Sequence, residues 1–77
     1  MKNNIKQFRE AAGMTQHQLG VAIGLSSAKP QATISNYEAQ IRSPGLHTCR
    51  LIVMALNKAG VEATMDSVFP LDMSKSA

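Results

Sequence analysis

The sequence predicts an all-α fold: five short helices packed as one compact domain. Glycine and proline cut the chain into five segments, none of which alternates as a strand would. Within the segments apolar residues recur three and four positions apart, the helical period. Seventy-seven residues, 44% of them hydrophobic, suffice for one core and no more. At roughly 0.05–0.15 kcal/mol per residue, such a domain is stable by about 4–12 kcal/mol.

The first segment runs from about Asn3 to Ala12, with Ile5, Phe8 and Ala12 at helical spacing and Gly13 as its stop. The second opens on Thr15-Gln16-His17-Gln18, a capping box in which Thr15 accepts an orphan N–H and Gln18 reaches back. Met14 and Leu19 stand where a hydrophobic staple belongs, and the helix continues through Val21, Ala22 and Ile23 to Gly24. So short a helix needs tertiary packing to persist. Leu25-Ser26-Ser27-Ala28-Lys29 is a polar connection, and Pro30 suits the first turn of a third helix, about Pro30 to Ala39.

In that third helix Ile34 and Tyr37 face inward, leaving Gln31, Ala32, Thr33, Ser35 and Asn36 outside. Thr, Ser and Asn are poor helix formers, so something other than propensity must justify this face. Ser43 as cap and Pro44 at the first helical position open the fourth helix. Its apolar stripe is Leu46, Cys49, Ile52, Val53 and Leu56, and Gly60 ends it. A fifth turn, Thr64 to Phe69, supplies Met65, Val68 and Phe69 as a lid before Pro70. Residues 71–77 are expected to fray, which makes 1–70 the domain.

Composition narrows the function. Cys49 is the sole cysteine, so no internal disulfide or CxxC site can form, and a reducing compartment is expected. No run approaches the roughly 20 apolar residues that span a bilayer. Met1-Lys2-Asn3-Asn4 does not lead into a signal-peptide core, so a cytoplasmic protein is expected. The charge of +3 is unevenly placed. Residues 1–50 carry six basic and two acidic side chains, net +4, and residues 51–77 two basic and three acidic, net −1. A polyanion would meet the N-terminal half.

His17 and His47 lack companion ligands, so no metal site is expected. Cys49 reads as a small core residue, and Met14, Met54 and Met65 as packing. No Ser/His/Asp set, paired carboxylates or phosphate loop is present, so neither an enzyme nor a cofactor is expected.

Two short helices joined by a turn, the second presenting small polar side chains, is the layout of a helix-turn-helix DNA reader. The stretch Arg9-Glu10-Ala11-Ala12-Gly13-Met14-Thr15-Gln16, then Leu19 and Ile23-Gly24-Leu25-Ser26, resembles the lambda repressor/Cro-like (XRE) family. So do Ile34-Ser35-Asn36-Tyr37-Glu38 and Pro44-Gly45-Leu46 leading to Ala55-Leu56. The resemblance covers about residues 3–70 and implies a five-helix domain that binds a two-fold symmetric operator on double-stranded DNA as a homodimer.

The resemblance places the third helix in the major groove with Gln31, Ala32, Thr33, Ser35 and Asn36 as candidate base contacts. A carboxamide such as that of Gln31 pairs bidentately with adenine N6 and N7, and the Ala32 and Thr33 methyls suit the methyl of thymine. Gln16, Lys29, Arg42 and Ser43 are the corresponding phosphate contacts. Tyr37 offers a hydroxyl to phosphate, although its spacing also suits a half-buried core aromatic. Arg9 and Glu38 match an internal salt bridge of the family, which leaves Lys2, Lys6, Lys29, Arg42 and Arg50 as the DNA-facing charge. The expected dimer surface lies around the fifth helix, through Val61, Met65, Val68 and Phe69.

The chain departs from the family pattern twice. About four extra residues fall in Ser26–Pro30, just ahead of the recognition helix, and Gln40 stands where the family commonly places Gly. Gln40 must therefore turn left-handed or let the helix end differently. The leading expectation is a sequence-specific repressor of phage, prophage or plasmid type, nucleoid-associated, with no small-molecule effector. The alternative is an antitoxin or antirepressor that keeps the fold but acts on a protein partner.

Overall fold

The computed structural model describes residues 3–25 and 29–70. Helices α1 (Ile5–Ala11), α2 (Gln16–Ala22), α3 (Pro30–Glu38), α4 (Leu46–Lys58) and α5 (Met65–Val68) follow one another, with no strand among the described residues. Each helix supplies the core. Ile5 of α1, Leu19 of α2, Ile34 of α3, Ile52 and Leu56 of α4 and Val68 of α5 are fully buried. Side chains of this size contribute about 1.5–3 kcal/mol each when fully buried.

The capping box of α2 is present in full. Gln18 N–H donates to Thr15 Oγ1 at 3.0 Å, and Thr15 N–H donates to Gln18 Oε1 at 2.8 Å. Met14 packs against the cluster that contains Leu19, as a staple should. α5 has a second capping box, built from Thr64 and Ser67. It stabilises a helix of only four residues.

α2 and α3 share the most extensive helix–helix contact. Gly20, buried on α2, lies against the start of α3. A Cβ there would stand 2.7 Å from Pro30 Cβ and 2.9 Å from the Pro30 carbonyl oxygen. The absence of a side chain at Gly20 lets the two helices close to this distance.

The fourth helix starts later than expected. Gly45, not Ser43, is the N-cap, and Pro44 is buried in the extended lead-in instead of opening the helix. The Pro44 carbonyl accepts the Cys49 thiol at 3.6 Å. Proline fits extended backbone as well as a first helical turn, so burial of its ring decides. Leu46 also leaves the expected stripe and is 62% exposed. At 3.6 residues per turn it sits about 90° round from the centre of Cys49, Ile52 and Leu56. Ala55 takes an inward place in its stead.

Gln40 resolves its conflict by turning left-handed, with φ 64°. Gln40 N–H donates to Tyr37 O at 3.1 Å and Ile41 N–H to Asn36 O at 2.9 Å, which is a Schellman closure. The side chain after the left-handed residue usually packs back on the last turn. Here the residue it would meet, Asn36, is polar, and Ile41 is left 73% exposed. The start and end of the domain are joined as well. Asn4 N–H donates to Val68 O at 2.7 Å, and Asn4 Nδ2 donates to Ser67 O at 2.9 Å.

Candidate nucleic-acid interface

The end of α3 is fastened to α1 and α2 by one carboxylate. Arg9 Nε donates to Glu38 Oε2 at 2.6 Å, Arg9 Nη2 to Oε1 at 3.3 Å, and Gln16 Nε2 to Oε1 at 3.0 Å. Arg9 Nη1 turns the other way, to the Met14 carbonyl at 2.8 Å. The Arg9 and Glu38 side chains are 10% and 6% exposed, so the pair is removed from solvent. The hydrogen bond to Glu38 raises the Arg9 guanidinium above its ordinary value, against the opposing effect of burial. Among the described residues no buried side-chain polar atom lacks a partner.

This network gives Gln16 a role that its sequence position did not reveal. Its carboxamide faces Glu38, so the candidate phosphate ligand is half-buried and already bonded. Asn3 adds a further tie by donating from Nδ2 to the Tyr37 carbonyl at 2.9 Å. Tyr37 is half-buried and packs against the core. A carboxamide at Asn3 leaves no signal in the local pattern, because its partner is 34 residues away.

The opposite, leading end of α3 is open. Gln31 and Ala32 are exposed, and Thr33, Ser35 and Asn36 are half-buried. Lys29 stands exposed immediately ahead of them. Arg42 and Ser43 are exposed in the connection to α4. The Arg42 N–H, with that of Ile41, converges on the Asn36 carbonyl, which ties this connection to the third helix. Lys6 and Arg50 are also exposed, whereas Lys2, the Ser26, Ser27 and Ala28 of the turn expected to be lengthened, and the 71–77 tail lie outside the described residues.

At the fifth helix, two of the four residues expected at a dimer surface lie inside the protomer. Val68 and Phe69 are buried, at 0% and 6% exposure, and close the core under Asn4. The other two, Val61 and Met65, are half-buried. The exposed large apolar side chains lie elsewhere, at Val21, Ile41, Leu46 and Met54.

Cys49 is buried, and burial pushes its thiol above the ordinary value. That fits a packing role and not a nucleophile. No group of three His, Cys, Asp or Glu side chains among the described residues is placed to hold a metal. No helix among them is long and apolar enough to cross a membrane.

The model of the helix-turn-helix family matches residues 5–62, which spans all of α1 to α4 and every part of the site just described except Asn3. Neither a curated protein nor a solved structure matches the chain.

Proposed function

The chain belongs to the lambda repressor-like helix-turn-helix family of DNA-binding regulators, and from that premise we propose a sequence-specific transcriptional regulator that reads a two-fold symmetric operator through the major groove. The observation that carries this reading is the contrast on α3. Its buried residues and its last turn are committed to the fold, while Gln31 and Ala32 at its leading end are exposed. Gln31 and Asn36 offer carboxamides to adenine, and Ala32 and Thr33 offer methyls to thymine. Ser35 supplies a further hydroxyl.

Phosphates are held by Lys29, Arg42 and Ser43, with the Gln16 amide and the Tyr37 hydroxyl as secondary candidates. These contacts position the domain, and the uncharged face specifies the sequence. A module of this size covers about 600–1,000 Å² of its own surface on DNA, too little for tight binding alone. A homodimer on half-sites about 34 Å apart is therefore part of the proposal. The regulator is of the repressor or Cro kind, from a phage, prophage or plasmid, acting in the cytoplasm at the nucleoid on residues 1–70 of the chain. It needs neither catalysis, cofactor nor small-molecule effector.

Selection of bound duplexes from a random pool tests function, site symmetry and spacing together. The expected product is an inverted repeat, bound with an affinity that falls steeply as salt rises. A pool that yields no enriched sequence, with no binding at low salt, overturns the proposal in favour of a module acting on a protein partner.

A further inference from the structure

His17 was left without a role by its sequence context, and the structure brings it to Gln31. Resting on the DNA-reading function proposed above, we propose that His17 is a specificity-determining residue that holds the Gln31 carboxamide in its adenine-reading orientation. The first turn of α2 presents Gln16, His17 and Gln18. Gln16 is committed to Glu38 and Gln18 to the capping box, so His17 is the one of the three that reaches the leading end of α3. Its Nδ1 lies 3.4 Å from Gln31 Oε1, with both residues exposed.

With Oε1 on the His17 side the amide accepts, and the contact is a hydrogen bond in the ring forms that carry a proton on Nδ1. Both the imidazolium and the Nδ1–H neutral ring meet that condition. At 3.4 Å the bond is long and biases the carboxamide without locking it.

The bias has a direction. With Oε1 turned to His17, one lone pair of that oxygen and both Nε2 hydrogens remain for a base. That pair of functions matches the 6-amino donor and N7 acceptor of adenine. Guanine presents acceptors at both O6 and N7. Reading guanine would turn Nε2 toward O6 and swing the amide so that its N–H groups face the His17 N–H, donor against donor. The contact therefore favours adenine and disfavours guanine. Specificity sharpened by repulsion against the wrong partner is a general device.

The test uses the full chain and duplexes carrying the sequence that it selects from a random pool. Q31A identifies the base pair read by Gln31 as the one whose preference relaxes. At that position the affinities for A·T and G·C duplexes are compared for wild type, H17L and H17N. The preference for A·T is expected to fall about three- to tenfold in H17L, the range of one ordinary hydrogen bond. H17N, which places an amide N–H near the imidazole Nδ1 position, is expected to restore it. Melting temperatures should not move, because His17 is exposed.

A preference in H17L within twofold of wild type overturns the inference. So does H17N behaving like H17L, since the N–H donor is then not the agent. If Q31A relaxes no base pair, the contact has no reader to orient and the inference falls, while operator reading stands. If wild type selects nothing, the DNA-reading proposal itself falls.

Discussion

The two ends of α3 are held by opposite means. At its C-terminal end Glu38 accepts three hydrogen bonds from Arg9 and Gln16, Asn3 ties the Tyr37 carbonyl, and a Schellman closure satisfies the last turn. At its N-terminal end Pro30 sits in a gap that only the missing side chain of Gly20 leaves open. Directed polar bonds hold one end and close packing the other, where the exposed residues Lys29, Gln31 and Ala32 are presented. Polar groups at the fastened end are paired inside the protein. Those at the open end are exposed, and Gln31 has only the long 3.4 Å contact to His17, so burial of hydrogen bonds separates support from reading surface more sharply than charge does.

The largest effect should come from breaking the fastened end. Glu38→Ala leaves Arg9 buried and unpaired and should destabilise by about 3–5 kcal/mol. For a domain of this size that threatens folding at 37 °C, and thermal melts measure it. A loss below about 1 kcal/mol would mean that Arg9 finds water and that the network is not what fastens α3.

Next is the packed end. Gly20→Ala drives a Cβ into the Pro30 backbone, which cannot step aside as a flexible side chain can. The expected loss is about 1–3 kcal/mol, read by denaturant titration. No loss would show that the leading end of α3 is free to shift.

Substitutions at the open face should leave melting unchanged and move binding alone. Gln31→Ala should weaken the selected site by about 1–3 kcal/mol and relax one base pair, whereas Arg42→Ala should weaken every sequence alike and reduce the salt slope by about one. If the two variants behave alike, Gln31 is not at the base edge.

The smallest effect is a gain. Gln40→Gly removes a left-handed side chain at φ 64° and should stabilise by about 0.5–1 kcal/mol, once the greater freedom of glycine in the unfolded chain is discounted. Equal stability would imply that the Gln40 side chain compensates by a contact of its own.

What was legible in the sequence follows the range of the interactions. The capping box at Thr15 and Gln18 and the glycine stops are written within a few residues, and they form as expected. Gln40 announced a conflict, but not which way it would resolve. Arg9 and Glu38 are 29 positions apart, and only the family resemblance joined them. Nothing local marked Gln16, Asn3 or His17 as partners of α3, because each reaches a group far away in sequence. The errors at Pro44 and Leu46 share one cause. Ser-Pro is as good an extended lead-in as a helix start, and the register of α4 then decides which side Leu46 faces. Val68 and Phe69 were candidates for both core and dimer surface, and burial assigns them to the core.

The bonds from Asn4 to Ser67 and Val68 make the domain a ring, closed across 63 positions of sequence. Such a closure costs chain entropy that contacts between neighbouring helices do not. It also ties the N-cap of α1 to the last turn of the four-residue α5, so opening either end is expected to release the other's anchor. Arg9 rides on α1, so loosening at the far end of the chain is expected to be felt at Glu38, and through it at the fastened end of the reading helix. Amide hydrogens of α1 and α5 should therefore exchange together, and a shortened chain that lacks Ser67 and Val68 should loosen its own first helix.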